Sequence, residues 1–358
     1  MVDKTKLFSI DSTELKNKLS LIKKIIGKGY VYITKKDNFL SLTSKNEQKS
    51  IITRAEPKEI NQKFYFGVDI DVLYRVCSNK KILYFYQQNS SLYFCDDKNY
   101  NGSIGLVDYL KIDIKTKNIN FMPILDLLPY LEKTKLDDII GEESSTLSFL
   151  IRDRGVAVLS MYHAAYLEKD LNVKNVVNIP TDYLDIIKAI QKETSKKEEK
   201  NINLGMGNNT ILLYTGETLI GLQQIAEPII GFDQIKKLKK CMYETKDFEC
   251  IIDHKSLQSI VNSMYAVYSN THIHVNIKSD KTGLILSMST EKGTVSDRVK
   301  ISKKKSDKNI NIFIDYKILI NIIKKFNTDP LFRVYNGKIF NFNSDTDDYK
   351  LNYFAMSF

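Results

Sequence analysis

Tryptophan is absent from the 358 residues, and with only 6 prolines and 15 glycines the chain is neither collagen-like nor a proline- or glycine-rich low-complexity polymer. Its four cysteines, Cys77, Cys95, Cys241 and Cys250, lie far apart with no C-x-x-C pair. That spacing offers no framework for a zinc knuckle or a disulfide scaffold, and reduced packing residues are expected. No apolar run approaches the roughly 18 residues a bilayer span requires, and Met1 to Ser12 has no hydrophobic signal core. The expectation is a soluble cytoplasmic protein without a membrane partner.

Catalytic signatures are equally scarce. Gly205-Met206-Gly207 lacks the third glycine of a phosphate-binding loop and lies between two expected strands. There is no G-x-S-x-G, no H-E-x-x-H and no kinase-like set, and none of the four histidines sits in a catalytic frame. His272 and His274 share one side of an expected strand and could bind a metal with a third ligand, but strand surface is the better reading. Asp69 and Asp71 open a helix, where a carboxylate caps backbone N–H groups. Asp345, Asp347 and Asp348 lack the glycine and distal glutamate of a calcium loop and read as a turn. No enzyme, cofactor or metal is expected; an unrecognised carboxylate site is the enzymatic alternative.

What is present is charge and pattern. Lys and Arg number 53 against 43 Asp and Glu, a net +10 whose long-range field favours polyanions, nucleic acid first. An AT-rich coding bias would enrich Lys, Asn and Ile in the same way. At 43% hydrophobic and 27% charged the chain can bury sizeable cores, and its length suits two or three domains.

Self-similarity at one third of the length is the strongest signal. The first unit opens with an amphipathic helix, Thr13 to Ile26, behind Asp11, Ser12 and Thr13 as candidate caps, followed by strands at 30–33, 39–43 and 50–54. Phe64 to Val68 then leads into a short helix through Ile70, Leu73, Val76 and Cys77, and strands at 82–87 and 91–95. The second unit has an apolar opening at 121–140, with its helix starting near Pro129, strands at 147–152 and 156–161, and 176–180 leading into helix Thr181 to Gln191. A solvated loop at 195–200 and strands at 202–206, 210–214 and 219–225 complete it. The third has 248–253, helix Ser256 to Tyr268, strands at 272–278, 283–289 and 296–301, then 310–314, helix Asp315 to Phe326, and strands at 331–335, 338–342 and 349–357. The fold class is therefore α+β, with units 1–117, 118–240 and 241–358, each carrying helices on one face of an antiparallel sheet.

The helices carry cations opposite their apolar stripes. Candidate DNA-facing residues are Lys16, Lys23 and Lys24 on the first helix, Arg75 on the second, Lys188 and Lys192 in the second unit, and Lys317, Asn321 and Lys324 in the third. Cations arrayed this way meet phosphates at any register, which gives sequence-independent, salt-sensitive binding. An ordinary solvated helix face is the plain alternative for any one of them.

In domain count and element order the chain resembles the bacterial-type DNA polymerase sliding clamp, and two local segments add to the likeness. The end, Tyr353-Phe354-Ala355-Met356-Ser357-Phe358, is similar to the apolar tail that floors the clamp's partner-peptide pocket, with Ala355 where the family usually has proline. Ser160-Met161-Tyr162-His163-Ala164-Ala165 is similar to the strand-turn-strand of that pocket, without the usual Asp-Gly turn. The resemblance implies a pocket between units two and three built from Leu147, Ser160, His163, Ala165, Pro228, Ile230, Phe354, Ala355, Met356 and Phe358. It implies a clamp fold whose helices line a ring, closed as a six-domain homodimer around double-stranded DNA, in the cytoplasm of a bacterial or phage-infected cell. The implied partners are a DNA polymerase and a clamp loader, and the implied role is that of a processivity factor. A clamp-like DNA-binding scaffold recruiting transcription or repair proteins is the second reading. Edge strands of units one and three are expected to form the subunit interface.

Overall fold

A computed structural model describes the chain apart from residues 1–4, 78–80, 115, 117–118, 120, 125–126, 137–146, 161–162, 172, 174–175, 195–201, 208–209, 224–232, 234–235, 238–239, 241–245, 270–272, 306–307 and 358. The expected loop at 195–200 lies outside the described residues. Two compact units divide the chain, one holding residues 1–126 and 183–224, the other 127–182 and 225–358.

In chain order the described elements begin with β1 (Thr5–Asp11), α1 (Ser12–Ile26), β2 (Tyr30–Lys36), β3 (Phe39–Lys45), β4 (Lys49–Ala55), β5 (Glu59–Ile60), β6 (Tyr65–Asp69) and α2 (Ile70–Val76). There follow β7 (Ile82–Gln88), β8 (Ser91–Cys95), β9 (Asn101–Gly105), β10 (Phe121–Pro123), α3 (Leu128–Thr134), β11 (Ser148–Arg152), β12 (Gly155–Leu159), β13 (His163–Glu168) and β14 (Val177–Pro180). Then come α4 (Tyr183–Thr194), β15 (Asn203–Gly207), β16 (Thr210–Tyr214), β17 (Thr218–Gln223), β18 (Lys246–Ile252), α5 (His254–Met264), β19 (His274–Ser279), β20 (Leu284–Thr290) and β21 (Gly293–Val299). The chain closes with β22 (Ile301–Ser302), β23 (Asn311–Asp315), α6 (Tyr316–Lys325), β24 (Leu331–Tyr335), β25 (Ile339–Asp345) and β26 (Lys350–Met356).

One junction chemistry recurs. A strand ends at an aspartate whose side chain accepts from the first N–H groups of the following helix, satisfying donors that have no partner inside the helix. Asp11 accepts from Thr13 N at 2.7 Å, Asp69 from Val72 N at 2.9 Å, Asp253 from Ser256 N at 2.6 Å and Asp315 from Lys317 N at 2.7 Å. Asp69 is thus a cap, as its position before a helical stripe implied, and the second carboxylate of that pair, Asp71, meets Lys23 at 2.5 Å. α3 has no side-chain cap and carries Pro129 in its first turn, where a missing N–H costs nothing.

The first unit holds a five-stranded sheet in the order β5-β1-β7-β8-β9 and an eight-stranded sheet in the order β10-β15-β16-β17-β4-β3-β2-β6. The second holds a nine-stranded sheet, β14-β11-β12-β13-β26-β25-β24-β18-β22, and a four-stranded one, β21-β20-β19-β23. The ladders that build them are antiparallel, and those that span the longest stretches of sequence are β4 with β17, and β13 with β26. At the first, Thr53 Oγ1 and Thr218 Oγ1 share a buried hydrogen bond of 2.7 Å, and the buried Lys18 of α1 reaches Glu217 at 3.0 Å. At the second, Tyr353 donates to the Lys133 carbonyl at 2.5 Å and Lys325 of α6 to that of Glu132 at 2.7 Å, tying α3 to the sheet and to α6. Apolar stripes of the helices, such as Leu15, Leu19 and Ile22 of α1 and Leu319, Ile322 and Ile323 of α6, complete the cores.

Candidate functional site

Two features have the chemistry of interaction surfaces: the outward faces of the helices and the junction of β13 with β26. On α1, Leu15, Leu19, Ile22 and Ile26 are buried while Lys24 is exposed and Lys16 and Lys23 are half-buried. Lys16 and Lys23 sit 5.4 and 4.5 Å from the Tyr74 ring centroid, so α2 fixes both ammonium groups. Lys23 also pairs with Asp71, whose carboxyl it holds below the usual carboxylate range. Arg75 on α2 and Lys188 and Lys192 on α4 are exposed, opposite the buried Leu184, Ile187 and Ile190.

α6 presents Lys317 and Asn321, both half-buried, and Lys324, exposed, one helical stripe away from Ile318, Leu319, Ile322 and Ile323. Beside it α5 exposes Lys255, Gln258, Ser259, Asn262 and Ser263 and buries Leu257, Ile260, Val261 and Met264. A search for cations passes over the α5 face, because four of its five outward side chains are neutral.

The second surface follows from strand register. Directly opposed residues in an antiparallel ladder share a sheet face. One row therefore runs Leu159, Ala164, Phe354, Asn341, Arg333, Glu249 across β12, β13, β26, β25, β24 and β18. A parallel row runs Leu150, Ala157, Tyr166, Asn352, Asn343, Leu331. Their apolar end is a buried cluster of Leu150, Ala157, Leu159, Ala164, Tyr166 and Phe354, with Ile339 partly buried beside it. Next come amides, where Asn343 donates to Asn352 Oδ1 at 2.8 Å and Asn341 to the Tyr353 carbonyl at 3.1 Å. The far end is ionic: burial pushes the Glu249 carboxyl up, but hydrogen bonds from Lys246, Arg333 and Lys305 outweigh it and bring the pKa down to about 2.

The sheet's other face holds His163, opposite Ala355, and Ala165, opposite Tyr353, in rows that continue into Phe340, Phe342, Phe332 and Phe248. The residues expected to share a pocket are thus divided: Phe354 lies on one face, and His163, Ala165 and Ala355 on the helix-covered one. Met356 is 46% exposed, Leu147 is buried, and Pro228, Ile230 and Phe358 lie outside the described residues. Ser160 and His163 meet across the β12–β13 turn. Ser160 Oγ is 3.0 Å from His163 Nδ1, and the Ser160 N–H donates to the His163 carbonyl at 2.8 Å. Burial drives the imidazole pKa down to about 4. The sequence reading missed Leu150, Ala157, Leu159, Ala164 and Tyr166; their apolar alternation was visible, but not which phase Phe354 joins.

Two of the acidic positions weighed in the sequence, Asp345 and Asp348, have structural roles. Asp345 pairs with Lys350 at 2.9 Å, and Asp348 accepts from Tyr130 at 3.0 Å and pairs with Lys169, all around the β25–β26 turn. His274 is exposed on β19 opposite Asp315, and His272 lies outside the described residues. Among the described residues no helix is long and apolar enough to cross a membrane.

No family model matches the sequence, and no curated protein does. Solved structures resemble the chain over its whole length. A putative DNA polymerase III beta subunit from Eubacterium rectale has 13% identity and a TM-score of 0.81, with 99% of this chain and 100% of that one covered. A DNA polymerase sliding clamp from Pseudomonas aeruginosa has 12% identity and a TM-score of 0.81 over 99% of both chains. The beta subunit from DNA polymerase of Streptococcus pyogenes has 12% identity and a TM-score of 0.81, covering 98% of this chain and 99% of that one. At such identities the likeness is one of fold, and the fold is that of the α+β sliding clamps.

Proposed function

We propose that this protein is a DNA sliding clamp, a non-enzymatic processivity factor that encircles duplex DNA and tethers a DNA polymerase. The observation that carries the reading is the near-complete mutual coverage of this chain and clamp subunits. Lysine-bearing faces on α1, α4 and α6 supply the electrostatics such a role needs, since phosphate contacts without base contacts permit sliding. In this reading the repeats are 1–117, 118–240 and 241–358, and two copies close a six-domain ring that a separate loader opens.

The partner peptide is assigned to the β13–β26 junction. The exposed Met356 is its anchor on one face, backed by the buried Phe354, while His163, Ala165 and Ala355 support the strands from the other. A short segment with one or two large side chains suits such a surface. The test is primer extension on a long circular template with the cognate polymerase and loader. Longer products only when the protein is present are expected; products of unchanged length overturn the reading. Replacing Phe354 and Met356 together by alanine is expected to abolish the lengthening while duplex binding persists.

A further inference from the structure

The helix pair of the second compact unit differs in kind from the other helices. Neither α5 (His254–Met264) nor α6 (Tyr316–Lys325) contains an aspartate or glutamate. The aspartates that precede them, Asp253 and Asp315, are engaged as caps. α1 carries Glu14, and Asp71 of α2 neutralises Lys23. Two hydrogen bonds fix α5 and α6 side by side and antiparallel: His254 Nε2 lies 3.1 Å from the Ile323 carbonyl, and Tyr316 donates to the Val261 carbonyl at 3.1 Å. Their outward stripes therefore form one layer without a helical carboxylate. It has Lys255, Gln258, Ser259, Asn262 and Ser263 on one helix and Lys317, Asn321 and Lys324 on the other.

We infer that Gln258 and Asn262 bind DNA backbone phosphates as neutral hydrogen-bond donors, so that α5 and α6 grip the duplex by two separable means. The inference rests on the DNA-clamp reading and goes beyond it, because it assigns phosphate contacts to residues that carry no charge. Gln258 and Asn262 are one helical turn apart on the exposed stripe. Their amide groups can donate to a phosphate oxygen, and neither helix places a carboxylate beside them; the exposed Asp329 lies at the start of α5, where it accepts from the His254 N–H at 2.9 Å. A lysine contact releases a counterion and steepens the salt dependence of binding; an amide contact releases none. The amides hold affinity that persists at higher salt, and Lys317 and Lys324 set the slope.

Anisotropy of a fluorescently labelled linear duplex of mixed sequence, titrated with the full chain over a series of salt concentrations, separates the two. The double variant Gln258→Ala/Asn262→Ala is expected to bind several-fold more weakly at every salt concentration with an unchanged log–log slope. Lys317→Ala/Lys324→Ala is expected to flatten the slope by about 2. The near-isosteric Gln258→Glu/Asn262→Asp replaces donors with anions and is expected to lose most binding at low salt; circular dichroism establishes that each variant is folded. An alanine variant that binds like the wild type, or whose defect fades with salt, overturns the inference while leaving the clamp reading in place. A wild-type chain that binds no duplex at any salt concentration overturns both.

Discussion

His163 has a measurable signature because burial keeps its imidazole neutral, with a pKa of about 4 against 6.5 for the free side chain. Above about pH 6.5 the folded and unfolded states bind the same number of protons at this residue, so it contributes no pH dependence. As pH falls from about 6.5 to about 4 the unfolded chain takes up a proton that the folded one refuses, and stability declines by up to about 3 kcal/mol. Below that window both states are protonated and the decline stops. Urea unfolding across this range is expected to show the slope in the wild type and its loss in His163→Gln; equal slopes would place the titration elsewhere. Asp71 offers a second residue-scale test, because its pairing at 2.5 Å neutralises Lys23. Asp71→Asn is expected to tighten duplex binding a few-fold and steepen its salt dependence, whereas unchanged binding would remove Lys23 from the DNA-facing set.

At the scale of elements, local signals were legible and long-range registers were not. Asp11, Asp69, Asp253 and Asp315 announce helices because capping is a short-range interaction between a side chain and the next turn. The pairing of β13 with β26 brings His163 opposite Ala355, and nothing near either strand encodes that register. A slip of one residue moves a whole strand's side chains to the opposite face, so only the register shows that Phe354 lies on one face of the sheet and His163 and Ala165 on the other. The β4–β17 join, which makes one eight-stranded sheet from strands between residues 30 and 69 and strands between residues 121 and 223, was hidden for the same reason. Gly155 tests how tightly the β13 side of the junction is held. It has a φ of +144°, and a Cβ there would stand 2.0 Å from the Leu167 carbonyl oxygen on β13. Gly155→Ala must displace that strand, and a loss of about 3 kcal/mol or more in urea unfolding is expected. A loss below about 1 kcal/mol would mean that the β12–β13 ladder yields easily.

For the whole molecule the decisive question is what covers the free sheet edges. β9 ends the five-stranded sheet of the first compact unit and β21 ends the four-stranded sheet of the second. β21 is seven residues long, and all but one of them are exposed or half-buried. Among the described residues no strand pairs with the outer side of β9 or β21; such an edge invites addition of another strand, and pairing β9 of one copy with β21 of the next would use both in a head-to-tail dimer. Tyr265 stands beside β21 at the end of α5, 70% exposed, stacked on Tyr268 at 6.4 Å, which in turn lies 4.9 Å from Tyr316. A large ring stacked on a second and left in water is the kind of anchor an interface uses. Sedimentation equilibrium is expected to show a dimer for the wild type and at least tenfold weaker association for Tyr265→Asp, about 1.4 kcal/mol or more, with unchanged circular dichroism. The same variant should fail to lengthen primer-extension products, because a ring that does not close cannot stay on a circular template. A wild-type chain that is monomeric at every concentration, yet still supports processive synthesis, would separate the processivity role from the dimeric ring and require the edges to be covered by something other than a second copy.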